Sequence, residues 1–188
     1  MTSPSSCSSE EIISLRSTAA FNALYRRTHQ TVFRYIYGLG AGSTQDAEDL
    51  TAETYIRAWQ ARRRFRGDAQ AALGWLLRIA RNLVFDRFRW QKRQPKNDTI
   101  ETHILHDPAA SPEAHAMYTQ QVRLLWQQLN QLDRTQREIL VLRYILGFQV
   151  RAIGEYLEIK ENTVSVKIRR ALEKLRQDWP NDDEQQTG

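Results

Sequence analysis

Apolar residues recur at three- and four-residue spacing through both halves of this chain. In no stretch do they alternate with polar ones over the length of a strand. That periodicity restricts the chain to packed helices, because a strand needs a period of two. Phe21, Leu24, Tyr25, Val32, Tyr35 and Ile36 mark a first helix, broken by Gly38, Gly40 and Gly42. Ser43, with Asp46 three residues on, has the form of a capping box in which Asp replaces Glu, opening a second helix over about 45–63. Phe65-Arg66-Gly67-Asp68 reads as a turn. Leu73, Leu76, Leu77, Ala80, Leu83 and Val84 then line one side of a third helix near 70–92.

The period fails over 93–113, where Pro95, Pro108 and Pro112 lie among polar residues, and this stretch reads as a linker. His103 and His106 have ligand-like spacing, but no cysteine stands nearby and a solvated linker is the better reading. Helical spacing resumes with Val122, Leu125, Leu129 and Leu132. Thr135 with Glu138 has the form of a capping box for a further helix through Tyr144, which Gly147 stops. The expected fold is all-α: two small helical domains joined by a flexible linker.

Charge is unevenly spread. Residues 60–93 hold ten basic side chains against Asp68 and Asp86, a local charge of +8 in a chain whose net charge is +5. A second cluster comprises Lys167, Arg169, Arg170, Lys174 and Arg176. Two separate basic clusters suit a polyanion held at two places. The single cysteine, Cys7, excludes an intramolecular disulfide and a Cys-rich zinc site. No apolar run reaches the roughly 18 residues of a membrane span, and the first residues have no signal-peptide pattern, so a soluble, intracellular protein is expected.

Residues 149–176 meet the physical specification of a helix-turn-helix. A short helix carries Ile153 and Leu157, and Gly154 is small where the elements approach closely. Ile159 is apolar in the turn. Val164, Ile168, Ala171 and Leu175 line the inner face of the second helix, with Asn162, Ser165, Val166, Arg169 and Arg170 outward. Such a helix enters the major groove by its N-terminal half. Glu158 stands where glycine often supplies the left-handed turn, so its presence implies a conformational cost.

With these features in hand, the chain resembles the extracytoplasmic-function sigma factors, specificity subunits of bacterial RNA polymerase in the sigma-70 family. Three stretches carry the resemblance: DAEDLTAETYIRAW (46–59), FRGDAQAALGWLLRIARNLVFDRFR (65–89) and the helix-turn-helix. It implies a disordered segment over 1–17, a region 2 bundle over 18–92, a linker over 93–115, a region 4 helix-turn-helix over 116–178 and an acidic tail over 179–188. Asp46, Glu48, Asp49, Leu50 and Glu53 would dock on core polymerase, where complementary charge steers encounter. Tyr55 and Trp59 are expected in the bundle core. The family often has Gln where this chain has Ala52.

The resemblance further implies that Phe65, Arg66, Gly67, Asp68, Arg78, Arg81, Asn82, Arg89 and Trp90 meet the downstream promoter element and its parted strand. Interleaved aromatic and basic residues suit unstacked bases. Asn162, Thr163, Ser165, Val166, Lys167, Arg169 and Arg170 would meet the upstream element, while Arg137 and Lys167 are placed to meet phosphate or polymerase. The implied partners are core RNA polymerase, double-stranded promoter DNA, melted single-stranded DNA and an anti-sigma factor, in the cytoplasm without membrane insertion. No catalytic residue, metal or cofactor is expected. Asp46, Asp49 and Glu53 share a helical face, but nothing is placed to complete a nuclease's metal cage. A free-standing helix-turn-helix regulator is the alternative reading. It accounts for 149–176 but not for an aromatic–basic stretch beside an acidic helix.

Overall fold

A computed structural model describes residues 15–40, 43–91, 93 and 128–177; residues 1–14 of the expected N-terminal segment, 94–115 of the expected linker and the acidic tail lie outside them. The expected disorder does not extend to residue 17, since Leu15 is 2% exposed and Ser17 caps the first helix. The described residues are helical, with no strand among them. The N-terminal half is a three-helix bundle: α1 (Thr18–Gly38), α2 (Thr44–Ala61) and α3 (Ala69–Gln91). Each start has a side-chain cap, which satisfies an amide that the helix leaves unpaired. Ser17 Oγ accepts from the Ala20 amide at 3.1 Å, Ser43 Oγ from Asp46 at 3.0 Å and Asp68 Oδ1 from Ala71 at 2.7 Å. The Ser43 cap forms as expected. The carboxylate of Asp46, however, reaches Arg87 on α3 and so ties α2 to α3.

The bundle buries Val32, Tyr35 and Ile36 of α1, Ala47, Leu50 and Ala58 of α2, and Leu76, Leu77, Ala80 and Val84 of α3. Each large apolar side chain removed from water contributes about 1.5–3 kcal/mol. Tyr55 is also inside, 2.7 Å from Thr28 Oγ1. The Thr28 hydroxyl spends its proton on the Leu24 carbonyl, so the Tyr55 hydroxyl is the donor to Thr28. Burial pushes its phenol up to about 12.

In the C-terminal half, residues 128–131 are helical. They are followed by α4 (Arg134–Leu140), a π-helical turn (Val141–Ile145), α5 (Val150–Leu157) and α6 (Glu161–Gln177). The capping box belongs to Asp133 and Gln136, two residues before the expected pair. Asp133 Oδ1 accepts from the Gln136 amide at 2.8 Å, and Gln136 Oε1 accepts from the Asp133 amide at 3.3 Å. Thr135 lies inside the helix, and Glu138 is buried. Gly147, at φ +73°, ends this segment with a conformation that L side chains resist.

The two halves share one apolar core. Ile139, Val141, Leu142, Ile153 and Val164 pack into the same cluster as the bundle residues. A smaller cluster of Leu129, Leu132, Leu140 and Ala171 closes the far side of the C-terminal half. Gly38 makes the approach of α1 possible: a Cβ there would lie 2.9 Å from side-chain carbons of both Val141 and Ile145.

Candidate nucleic-acid and partner interfaces

The turn of the helix-turn-helix follows from two local constraints. Glu158 adopts φ 59° and ψ 40°, the left-handed geometry expected of this position. For a non-glycine residue this costs roughly 1–2 kcal/mol. Gly154 is required by the same turn, because a Cβ there would lie 2.8 Å from the Ile159 carbonyl oxygen. Val164 and Ala171 of α6 face inward and are fully buried. Asn162, Thr163, Ser165, Arg169 and Arg170 face solvent, with Val166 and Lys167 at the margin. Ser165 Oγ donates back to the Glu161 carbonyl, and Arg169 lies 3.7 Å from Glu173. All seven expected upstream-contact residues therefore lie on one surface-exposed helix. Exposed ion pairs such as the last contribute little and leave the arginine available to a stronger anion.

On α3, Trp75, Arg78, Asn82, Phe85 and Arg89 recur at three- and four-residue intervals and form one stripe. Asn82 and Arg89 are exposed, Arg89 beside Asp86. Trp90 is 58% exposed at the basic end of the helix, where an aromatic face is free to stack. Phe65 packs on Trp75 with ring centroids 5.0 Å apart. Gly67 lets the loop close over α3, since a Cβ there would meet that of Ala71 at 2.8 Å. Asp68 caps α3 through Oδ1, which accepts from the Ala71 amide. Arg66 is exposed and donates to the carbonyls of Arg63 and Phe65.

Two further basic residues depart from expectation. Arg81 is turned toward the C-terminal half, where its Nε donates to Glu138 Oε2 at 2.8 Å and its guanidinium stacks 4.9 Å over Phe85. Arg137, expected to meet phosphate, is buried. It donates to the Leu129 carbonyl at 2.9 Å and to the Leu39 carbonyl at 3.1 Å, which it caps at the end of α1. Burial lowers its pKa from the usual arginine value.

The acidic helix α2 presents Glu48 and Asp49 to solvent and Glu53 at a half-exposed position, where it pairs with Arg57 at 2.7 Å. Asp49 accepts from Gln45 at 3.1 Å. Leu50 departs from its expected role: it is only 7% exposed and packs into the bundle, because its position on α2 faces α1 and α3. Ile56, which the sequence reading missed, stands 52% exposed on α2. Its signal was a lone apolar residue one turn beyond Ala52 and three residues from Glu53, outside the buried stripe. Trp59 packs on the core and lies under Arg62, whose guanidinium carbon is 3.4 Å from the ring centroid.

Between the halves lies an open cleft of about 1010 Å³, lined in part by Phe65, Arg66, Trp75 and Arg78 on one side and Phe148 and Tyr156 on the other. Across it Arg78 Nη2 reaches Glu158 Oε1 at 3.2 Å.

Residues 24–94 match the family model of sigma-70 region 2, and residues 123–175 match that of sigma-70 region 4. The chain is 31% identical over 160 residues to the ECF RNA polymerase sigma factor SigX of Bacillus subtilis, covering 83% of this chain and 81% of that protein. It is 31% identical over 163 residues to the ECF RNA polymerase sigma factor BldN of Streptomyces coelicolor, covering 87% of this chain and 61% of that one. The fold is similar to that of the sigma factor RpoE of Bartonella quintana, solved in complex with the anti-sigma factor NepR, with a TM-score of 0.64 at 21% identity. That match covers 86% of this chain and 98% of the other.

Proposed function

This chain belongs to the extracytoplasmic-function sigma factors of the sigma-70 family; from that premise we propose that it is an alternative sigma factor, which binds core RNA polymerase, directs it to particular promoters and helps to part the strands. The polymerase supplies the chemistry of RNA synthesis, and this chain supplies position and strand capture. The observation that carries the reading is the order of the two modules, a region 2 followed by a region 4, with an aromatic–cationic stripe on the first and an exposed recognition helix on the second.

Glu48, Asp49, Glu53 and Ile56 form the docking face for a basic partner surface. The α3 stripe, with Phe65, Arg66, Asn82, Arg89 and Trp90, takes the downstream element. Parting a base from its stack costs a few kcal/mol. Stacking on an aromatic ring recovers about 1–3 kcal/mol per base, and a cationic track holds the phosphates. On α6, Arg169 and Arg170 read base edges of the upstream element, alongside Asn162, Thr163, Ser165, Val166 and Lys167. An anti-sigma factor is the proposed regulator, as for the Bartonella protein. A free-standing regulator is not favoured, since it would leave the region 2 match at 24–94 without a role.

Transcription in vitro with core polymerase on genomic DNA tests the proposal. The expected result is promoter-dependent transcripts whose start sites carry permanganate-reactive thymines only when this protein is added. Start sites that stay unreactive throughout would defeat it.

A further inference from the structure

An aromatic ladder runs along the seam between α1 and α2. Trp59 meets Phe21 with ring centroids 5.0 Å apart, Phe21 meets Tyr55 at 6.3 Å, Tyr55 meets Tyr25 at 4.8 Å, and Tyr25 stacks on His29 at 5.2 Å. Its inner rungs are fixed: Tyr55 is buried and bonded to Thr28, and Phe21 is buried beside it. Tyr25 is the outward rung, 45% exposed. Ile56, next in the chain to Tyr55, turns to solvent and is 52% exposed. Ala52 is exposed three residues before Tyr55 and four before Ile56, so it lies beside both on the surface of α2. Its methyl group leaves a hollow between the rings and the branched chain of Ile56. Glu48 and Asp49 lie one turn before Ala52, and Glu53 follows it.

We infer that Tyr25 and Ile56 are the apolar anchor of the polymerase-docking face, and that core polymerase seats an apolar side chain on Ala52 between them while basic groups around it meet Glu48, Asp49 and Glu53. This rests on the proposed docking of α2 and deepens it by giving the apolar and the acidic residues different tasks. Single exposed apolar residues are ordinary on a protein surface. Here two large ones share a patch across two helices, flanked by carboxylates. That is the plan of a protein interface, in which an apolar centre carries the affinity and a polar rim excludes water. Charge alone would do less. Glu53 is already paired with Arg57, and exposed carboxylates steer encounter more than they hold the complex. The Tyr25 ring suits an anchor because His29 and Tyr55 already hold it in place, so little side-chain freedom is left to lose on binding.

The test measures binding of the full chain to core polymerase at about 0.1 M and about 1 M salt, where charges are screened beyond about 10 Å and about 3 Å. Tyr25→Ser and Ile56→Ser are each expected to weaken binding about thirtyfold at both salt concentrations, through faster dissociation. Ile56 points away from the bundle, so its variant covers the case in which Tyr25→Ser fails to fold. Ile56→Met keeps an apolar side chain and should hold most of the affinity that Ile56→Ser loses. Asp49→Lys with Glu53→Lys is expected to slow association at low salt, with an effect that shrinks at high salt. Serine variants that bind as tightly as the parent at high salt overturn the anchor; if the lysine variant still loses affinity, the docking face stands without it. If neither kind of variant loses affinity, the docking of α2 falls as well. Sedimentation of the chain alone tests the other occupant. A dimer in the parent that Ile56→Ser dissolves would assign the patch to a second copy and overturn the anchor.

Discussion

The two modules differ in how they are held together. The N-terminal bundle has helices of 21, 18 and 23 residues that pack on one another. In the C-terminal module α4 and α5 have 7 and 8 residues, too short to be stable alone, and much of its apolar surface lies in the core it shares with the bundle. A self-sufficient module can present a docking face without cost elsewhere. A module that leans on its neighbour can be released or withheld, because its exposure is coupled to the contact.

The sharpest challenge to this contrast comes from the shared core. Leu76→Ala and Leu142→Ala each delete a fully buried side chain, and each should lower stability by about 2–5 kcal/mol in urea unfolding. Leu142→Ala should also expand the protein in scattering, which Leu76→Ala should not. Equal compactness of the two variants would remove the distinction between the modules. Next in size is Tyr35→Phe, which takes a donor from a buried carboxylate and should cost about 1.5–3 kcal/mol.

The same contact is sensitive to alkali. Burial holds the Tyr35 phenol well above its ordinary value, and burial chiefly pushes that of Tyr156 from 10.0 up to about 12. Both groups are favoured neutral in the folded state. Their contribution is complete below pH 10 and is lost as pH rises from there through the raised values. Scattering followed between pH 9 and 12 should show expansion only in the upper part of that range.

Function should divide along the same boundary. Arg169→Ala should weaken recognition of the upstream element by about 1–3 kcal/mol per lost base contact, leaving polymerase binding intact. Asp49→Lys with Glu53→Lys should do the reverse, lowering co-purification with core polymerase. If the α6 variant loses polymerase, the docking face has been misplaced.

The smallest effect is expected at the turn. Glu158→Gly relieves a left-handed residue and loses only an exposed ion pair, so it should stabilise by about 1 kcal/mol. In a chain of this size that raises Tm by about 2–4 °C. An unchanged or lower Tm would mean that the pair with Arg78 outweighs the strain.

What the sequence made legible was local. Apolar spacing located the helices, Ser43 announced a cap, and Gly154 with Glu158 announced a tight, strained turn. Each depends on neighbours within a few residues. Glu138 was misread as half of a capping box because its partners, Tyr35 and Arg81, lie 103 and 57 positions away. Arg137 looked like a phosphate ligand because nothing nearby in the chain reveals that it caps α1 through Leu39, 98 positions away. The acidic face of α2 was visible as a run of carboxylates. That Leu50 faces in and Ile56 faces out depends on how α2 is rotated against α1 and α3, which helical period alone does not fix.

Trp75 lies in the wall of the cleft, packed on Phe65 and facing the side that carries Tyr156. An indole in that setting is a built-in optical gauge. Separation of the modules changes its solvation, and a base stacked nearby quenches its emission. The proposed strand capture can therefore be followed in a stopped-flow mixer on the unlabelled protein, with a Trp75→Phe variant supplying the blank.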